Sequence, residues 1–147
     1  MDKSELAASY FTQGYNCAQA VALAFCGDFG YTKEQAARLI SGFGGGFGRM
    51  REVCGALSGA VWAVNLKYGY SDPGDPELKA ALYARIQSLC RAFADEMGSL
   101  LCRELLDRPA ETSPVADRRD AAFYEKRPCL RAVRTAAALA EKILEET

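Results

Sequence analysis

The sequence predicts an all-α protein that folds as a single-domain helical bundle of about five to six helices. Apolar residues recur at helical spacing, and no segment alternates apolar and polar residues for long enough to predict a strand. With 147 residues the chain has the length of one domain, and no repeat or linker divides it, so residues 1–147 form one unit. Half of the residues are apolar and a quarter are charged, which is typical of globular proteins.

Helix start signals divide the first part of the chain into three helices. Residues 4–12 form the first of them. Asn16 is a suitable N-cap for a helix over residues 17–26, because its side chain can accept a hydrogen bond from a main-chain N–H of the first turn. Thr32, with a glutamine three residues later, has the sequence of a capping box, which predicts a helix over residues 32–41.

A glycine-rich loop at residues 42–48 precedes the next helix, which we expect over residues 51–68. Phosphate-binding glycine loops follow a strand and have a defined spacing, and neither feature is present. We therefore interpret the loop as a tight turn between helices that needs positive φ values and leaves access to Cys54. The alternative is a backbone nest that binds an anion.

The first half of this helix is unusually rich in small residues. A glycine inside a helix costs about 1 kcal/mol relative to alanine, which a protein accepts where another backbone must approach closely. The small residues therefore predict close packing of this helix against a neighbour. They are Gly55, Ala56, Ser58, Gly59 and Ala60.

The second half of the chain predicts three more helical segments. Proline suits the first position of a helix, so we expect a long helix over residues 76–97 and a final helix over 128–145. A short helix at 101–106 lies between them. Residues 107–127 are polar and contain two prolines, which predicts a surface loop with one helical turn. We interpret four of its charged residues as a solvated face: Asp117, Arg118, Arg119 and Asp120.

Charge and composition exclude several classes of function. A net charge of −1 leaves no large positive field for nucleic acid and no basic run for a membrane surface. No apolar run approaches the roughly 20 residues of a membrane span, and the N-terminal residues have no secretory signal, so we expect a cytoplasmic protein without membrane insertion. The absence of histidine excludes the usual Ser-His-Asp and Cys-His mechanisms and every imidazole metal ligand.

Cysteine is the remaining reactive residue type, with six in the chain. Four of the six lie near predicted helix starts: Cys17, Cys54, Cys102 and Cys129. The positive end of a helix dipole favours a thiolate, and nearby arginines add to this effect. Short connections make successive helices antiparallel, so alternate helices start at the same end of a bundle. We therefore expect Cys17, Cys54 and Cys102 to converge there, and the long loop at 107–127 lets Cys129 return to the same end. All four should point inward.

The other two cysteines lie at different positions of the helical pattern. Cys26 ends its helix, and Cys90 lies in the middle of the long helix beside the apolar stripe. A free cysteine often serves as a small buried apolar residue. That is the role we expect for both.

The segment around Cys54 also carries a resemblance to a known family. Residues 42–60 are centred on the sequence CGALSG, which begins at Cys54, and residues 15–20, residues 98–106 and Cys129 support the match in the expected order. These residues resemble a family of redox-active proteins of the C_GCAxxG_C_C type. The resemblance implies redox activity but no particular reaction. The family's characteristic cysteines would correspond to Cys17, Cys54, Cys102 and Cys129.

Reversible thiol–disulfide exchange is the first function compatible with this pattern, and it needs no cofactor. It requires a nucleophilic thiolate and a resolving thiol within about 6 Å between Cα atoms. Cys54 is the predicted nucleophile because the glycine loop and an arginine flank it, and Cys17 or Cys102 would resolve the intermediate. The redox partner, or a small thiol or metal substrate, stays unidentified, and the small-residue faces are compatible with a homodimer.

Two other functions remain open at the level of sequence. The same four thiolates could ligate a zinc ion or an iron–sulfur cluster. Their separations of 37, 48 and 27 residues differ from the paired cysteines of standard modules, so this site would need a preformed bundle. The last alternative is a non-catalytic helical interaction module whose cysteines only fill the core.

Overall fold

The computed structural model describes residues 1–146 and confirms the all-α prediction. Its helices, in chain order, are α1 Lys3–Thr12, α2 Cys17–Cys26, α3 Lys33–Ile40, α4 Gly55–Tyr68, α5 Pro76–Met97, α6 Cys102–Leu106, α7 Ala121–Lys126 and α8 Cys129–Leu144. These eight helices exceed the predicted five to six because α6 and α7 are helices of only five and six residues. Within residues 1–146, every helix is too short or too polar to cross a membrane.

Two capping boxes define the start of α2 and α3. The Asn16 side chain accepts a hydrogen bond from the Gln19 N–H at 2.8 Å, and the Gln19 side chain accepts one from the Asn16 N–H at 3.1 Å. Thr32 and Gln35 make the same reciprocal pair at the start of α3. Each box satisfies main-chain donors that a helix start leaves without partners, so both predicted caps are confirmed.

Helix α4 starts at Gly55, four residues after the predicted position near Arg51. Arg51 has φ +58°, which is incompatible with a right-handed helix. Val53 instead forms an isolated antiparallel bridge with Leu101, and Cys54 becomes the N-cap of α4. The segment before α4 is therefore tied to the segment before α6, although the two are far apart in sequence.

The glycine-rich loop is a tight turn, as predicted. Gly45, Gly46 and Gly48 have φ values of 67°, 68° and 58°, in the left-handed region that favours glycine. The loop closes on itself through the N–H of Gly48, which donates to the carbonyl of Gly42 at 3.0 Å. A Cβ at Gly46 would lie 2.8 Å from the Cβ of Cys102. The turn therefore presses directly against one of the candidate cysteines.

Helix α2 occupies the centre of the bundle and packs against α1, α3, α4 and α8. Eight of its ten residues are buried. It runs parallel to α4, because a Cβ at Gly59 would lie 2.7 Å from the carbonyl oxygen of Ala18, and Gly55 lies against Cys17. The close approach that the small residues of α4 predicted is therefore with α2. It places the N-terminal ends of these two helices side by side.

Candidate active site: a cavity lined by four cysteines

A cavity of about 260 Å³ lies where α2, α4, α6 and α8 begin. The four cysteines that the sequence selected all line it: Cys17, Cys54, Cys102 and Cys129. Three of them are the first residue of a helix, and the fourth, Cys54, is an N-cap. The predicted convergence of the four is confirmed. Their chemical role is a separate question, which depends on their surroundings.

Main-chain hydrogen bonds hold two of these cysteines in place. The N–H of Cys54 donates to the carbonyl of Leu100 at 2.8 Å, and the N–H of Cys102 donates to the carbonyl of Glu52 at 2.6 Å. These bonds flank the Val53 bridge and fix the starts of α4 and α6 relative to each other. Because they use main-chain groups, they position the cysteines without relying on flexible side chains.

Gly55 controls the position of Cys17. A Cβ at Gly55 would collide with the Sγ of Cys17 and would lie 2.9 Å from the carbonyl oxygen of Phe43. Only glycine leaves room for the sulfur at this point. Since Gly55 directly follows Cys54, the Cys17 sulfur lies beside the main chain next to Cys54.

The surroundings of three thiols oppose ionisation. Burial raises the pKa of Cys54 and Cys102, which are 6% and 8% exposed, and raises that of Cys129 to about 12. A negative charge on Cys17 raises the pKa of each of these neighbours further. The prediction that helix-start positions favour the thiolate is therefore wrong for these three, because desolvation outweighs the helix dipole.

Arg51 is the one arginine that contacts a cysteine sulfur among the described residues. Its guanidinium is 3% exposed, and Nη1 donates to the Sγ of Cys102 at 3.7 Å. Nη2 donates to Oε1 of Glu111 at 3.1 Å. Burial raises the pKa of Cys102, and the hydrogen bond and charge of Arg51 partly offset that increase. Cys102 is thus the cavity thiol with a built-in positive partner.

Residues 107–120, which we call the strap, contribute four residues to the cavity wall: Pro114, Ala116, Asp117 and Arg119. Glu111 forms salt bridges with Arg49, Arg51 and Arg108. The shortest of the three, with Arg108, is 2.9 Å long. Asp117 contacts the same three arginines and also Arg127. The strap is therefore held down by two shared carboxylates.

The interpretation of the charged strap residues as a solvated face needs correction. Arg118 and Asp120 are exposed, but Asp117 lines the cavity. Arg119 turns inward, where it donates to the carbonyls of Phe11 at 3.0 Å and Tyr15 at 2.9 Å. Sequence reasoning missed the role of Arg119 because its partners lie more than a hundred residues away along the chain. In the sequence, only the prolines and the paired charges of this loop indicated an ordered segment.

Cys26 and Cys90 do not line the cavity. Cys26 is buried, and its Sγ donates to the carbonyl of Leu23 at 3.4 Å, whereas Cys90 is half-buried on α5. Both belong to the apolar packing of the bundle, as expected. Among residues 1–146, no three His, Cys, Asp or Glu side chains are grouped as a metal ion would require. The arrangement of the four cavity cysteines therefore lends no support to the metal alternative.

Comparison with protein families places these cysteines in a known group. The family model described as "Putative redox-active protein (C_GCAxxG_C_C)" matches residues 15–143, a range that contains all four cavity cysteines. The chain belongs to this family. The resemblance drawn from the sequence motifs is thus confirmed, and the C_GCAxxG_C_C family's description supports redox chemistry as the general class. Comparisons with curated proteins and with solved structures find no match.

Proposed function

We propose that this member of the C_GCAxxG_C_C family carries out reversible thiol–disulfide exchange in the cavity, with Cys17 as the attacking thiol and Cys54 as the resolving thiol. The observation that carries the proposal is that four cysteines from four helix starts line one small cavity. The contact of the Cys17 sulfur with Gly55 supports the choice of pair, because Gly55 is bonded directly to Cys54.

Exposure favours Cys17 over Cys54 for the first attack. Cys17 is half-buried at the N-terminal end of the ten-residue helix α2, a position typical of reactive cysteines. Cys54 is 6% exposed, and burial raises its pKa. An external disulfide therefore reaches Cys17 first. This reverses the roles expected from the sequence, where Cys54 was the nucleophile and Cys17 or Cys102 the resolving thiol.

The reaction proceeds in two exchanges. The Cys17 thiolate attacks one sulfur of a substrate disulfide, forming a mixed disulfide and releasing the other half as a thiolate, which takes a proton from solvent. The Cys54 thiol then gives up its proton and attacks the Cys17 sulfur, which releases the second half as a thiol. One substrate disulfide becomes two thiols, and two protein thiols become one disulfide. Two electrons pass from protein to substrate, and the reverse sequence restores the thiols.

Mass spectrometry of the reduced protein tests the pair directly. We expect 2-hydroxyethyl disulfide to lower the protein mass by about 2 Da as one intramolecular disulfide forms, with Cys17 and Cys54 in the linked peptides. The variant Cys54→Ser should accumulate a mixed disulfide on Cys17. The variant Cys17→Ser should lose exchange, whereas the control Cys90→Ser should retain it.

Two results would count against the proposal. If Cys17→Ser formed an intramolecular disulfide between two other cysteines at the wild-type rate, the attacking thiol would be another cysteine. If the folded, reduced wild-type protein reacted with no small disulfide, exchange chemistry itself would be excluded. Circular dichroism of each variant would establish that the helices are retained.

A further inference from the structure

The cavity wall carries more positive charge than a thiol-exchange site requires. Arg49, Arg51, Arg119 and Arg127 line it, whereas Asp117 is its one acidic lining residue among those described. Charges on the wall of a small cavity act through a medium of low dielectric constant and are felt strongly by a ligand. The cavity therefore favours an anion over a neutral or cationic molecule.

The strap does not neutralise this charge. Two of its four carboxylates, Glu111 and Asp117, form salt bridges, and they are shared by four arginines, namely Arg49, Arg51, Arg108 and Arg127. Arg119 contacts main-chain carbonyls and aromatic rings instead of a carboxylate. Among the residues that line the cavity, four arginines against one carboxylate leave an excess of three positive charges.

Arg51 also retains an unused donor. Its Nε is buried without a hydrogen-bond partner within residues 1–146, although the side chain is only 3% exposed and lines the cavity. A buried donor without a partner is unfavourable, so an acceptor that enters the cavity would gain from meeting it. A carboxylate suits an arginine well, because its two oxygens match the geometry of the guanidinium.

The arginine and the reactive sulfurs share the same small space. Nη1 of Arg51 lies 3.7 Å from the Sγ of Cys102, and Cys17 and Cys54 line the same cavity. The rest of the wall includes apolar side chains such as Leu105 and Phe123, which suit a short methylene chain. A volume of about 260 Å³ restricts the ligand to a small molecule.

We infer that the substrate of this site is a low-molecular-weight disulfide or thiol that carries a carboxylate. The carboxylate pairs with the guanidinium groups of Arg51 and Arg127, and this places the sulfur of the same molecule beside the cavity thiols. The inference rests on the exchange reaction proposed above. It adds the chemical class of the molecule with which the protein exchanges electrons.

The exchange itself is unchanged by this choice of substrate. One carboxylate-bearing disulfide is reduced to two carboxylate-bearing thiols, while the two protein thiols are oxidised to one disulfide. The carboxylates keep their charge throughout, so they contribute to binding and orientation and take no part in the bond changes. In the reverse direction, two such thiols reduce the protein disulfide.

A series of three small disulfides of similar length tests the inference. The probes are 3,3′-dithiodipropionate, which is a dianion, neutral 2-hydroxyethyl disulfide, and cystamine, which is a dication. Their second-order rate constants with the reduced wild-type protein are each divided by the rate constant with 2-mercaptoethanol, which removes their intrinsic differences in reactivity. We expect the dianion to exceed the neutral probe by about tenfold and cystamine to be slowest, with the differences shrinking as ionic strength rises.

Variants then assign the preference to the cavity. Arg127→Gln should lose most of the preference for the dianion, measured within the variant as the ratio of the normalised rate constants for the dianion and the neutral probe. Arg91→Gln, an exposed arginine on α5 that does not line the cavity, should behave like the wild type. Removal of the buried Arg51 could prevent folding, so the test depends on the wild-type series and on Arg127→Gln.

The outcomes separate the inference from the proposed function. Equal normalised rates for the neutral and anionic probes would overturn the substrate class and leave the exchange reaction intact. A preference for the dianion that Arg127→Gln and Arg91→Gln both retain would overturn its assignment to the cavity arginines. Failure of all three probes to react with folded, reduced protein would overturn the exchange reaction, and the substrate class with it.

Discussion

The two ends of α2 each carry a cysteine, and the two thiols have different surroundings. Cys17, at the N-terminal end, is half-buried in a cavity with three other cysteines and several arginines. Cys26, at the C-terminal end, is 2% exposed among apolar side chains and donates to the carbonyl of Leu23. The same helix thus places one thiol in the cavity wall and the other in the apolar core. The difference comes from the elements packed around each end.

The backbone conformation also differs between the two ends of α2. The four non-glycine residues with positive φ within residues 1–146 are Phe47, Arg49, Arg51 and Asp107. The first three lie in the segment before α4, and Asp107 begins the strap. At the C-terminal end of α2, by contrast, the positive φ falls on Gly30. Strained non-glycine residues cost about 1–3 kcal/mol each and typically cluster at functional sites, which agrees with a site at the N-terminal end.

Replacement of the two α2 cysteines should give the largest difference. We expect Cys17→Ser to abolish exchange with 2-hydroxyethyl disulfide, since it removes the attacking sulfur. Cys26→Ser should leave the rate nearly unchanged, because the serine hydroxyl can donate to the same carbonyl of Leu23. Stopped-flow measurement of the small thiol released would compare the variants. Equal rates for the two would remove the distinction between the ends of the helix.

Two glycines, one near each end of α2, provide a test of stability. Gly55→Ala places a Cβ against the Cys17 sulfur and should lower the free energy of unfolding by about 1–3 kcal/mol, as overpacking of a filled core does. It should also slow disulfide exchange, because the sulfur must move. Urea unfolding of the reduced protein would measure the first effect.

Gly27→Ala is the matched control. Gly27 has φ −66° and no atom within 4 Å of an added Cβ, so the change should alter stability by no more than about 1 kcal/mol and in the stabilising direction. If Gly27→Ala lowered the free energy of unfolding as much as Gly55→Ala, the cavity end of α2 would be packed no more tightly than its other end.

The pH dependence of stability should reveal the cavity thiols. Burial raises the pKa of Cys129 to about 12, and neighbouring thiols add to the increase. In the unfolded chain the pKa of a thiol is about 8.5. Above that pH the unfolded chain loses the thiol proton first, which stabilises the unfolded state relative to the folded state. The contribution of Cys129 is thus complete below about pH 8.5 and is lost as pH rises toward about 12.

Urea unfolding under reducing conditions at pH 7.5 and 10.5 measures this loss. Replacement Cys129→Ala should reduce the fall in unfolding free energy between these values by about 1–2 kcal/mol. Cys26→Ala should reduce it less. Burial also raises the pKa of Cys26, but main-chain N–H groups oppose that increase. Parallel pH profiles for the wild type and Cys129→Ala would contradict the raised pKa.

The smallest effect should come from the strap. Asp117→Asn removes a carboxylate whose pKa Arg127 and the neighbouring arginines hold below its usual range. Because the pairs are partly exposed, we expect a loss of no more than about 1 kcal/mol in global stability. Hydrogen exchange of residues 107–120 should nevertheless increase, since the strap loses contacts with several arginines. Exchange that stays at the wild-type level would show that the main-chain bond from Glu111 to the carbonyl of Arg49 is enough to hold the strap.

Local sequence signals were sufficient for much of the fold. The caps at Asn16 and Thr32 were predicted because a helix start is decided by a few neighbouring residues. The convergence of Cys17, Cys54 and Cys102 followed from helix direction and short connections, and that of Cys129 from a loop long enough to return to the same end. The start of α4 was misplaced by four residues because the bridge between Val53 and Leu101 stops the helix from extending toward Arg51.

The chemistry of the site was less accessible from the sequence. The pattern of helix starts favoured thiolates at all four cysteines, but the pKa of a thiol depends on how much water the fold removes from it. The burial of Cys54 depends on the elements that cover it, whereas the prediction that Cys54 attacks first rested on its sequence neighbours alone. Cys17 is more exposed than Cys54, and this difference exists only in the folded chain.

The sequence by itself determined the helices, their caps, the small-residue face of α4 and the end of the bundle at which the cysteines gather. Those features depend on contacts between residues a few positions apart or on helical periodicity. Tertiary structure alone decided that Arg51 meets Cys102, 51 residues away, and Glu111, 60 residues away, and that the strap lines the cavity. Such pairs depend on how irregular segments fold back and on which groups lose water, because desolvation and long-range charge are properties of the packed chain.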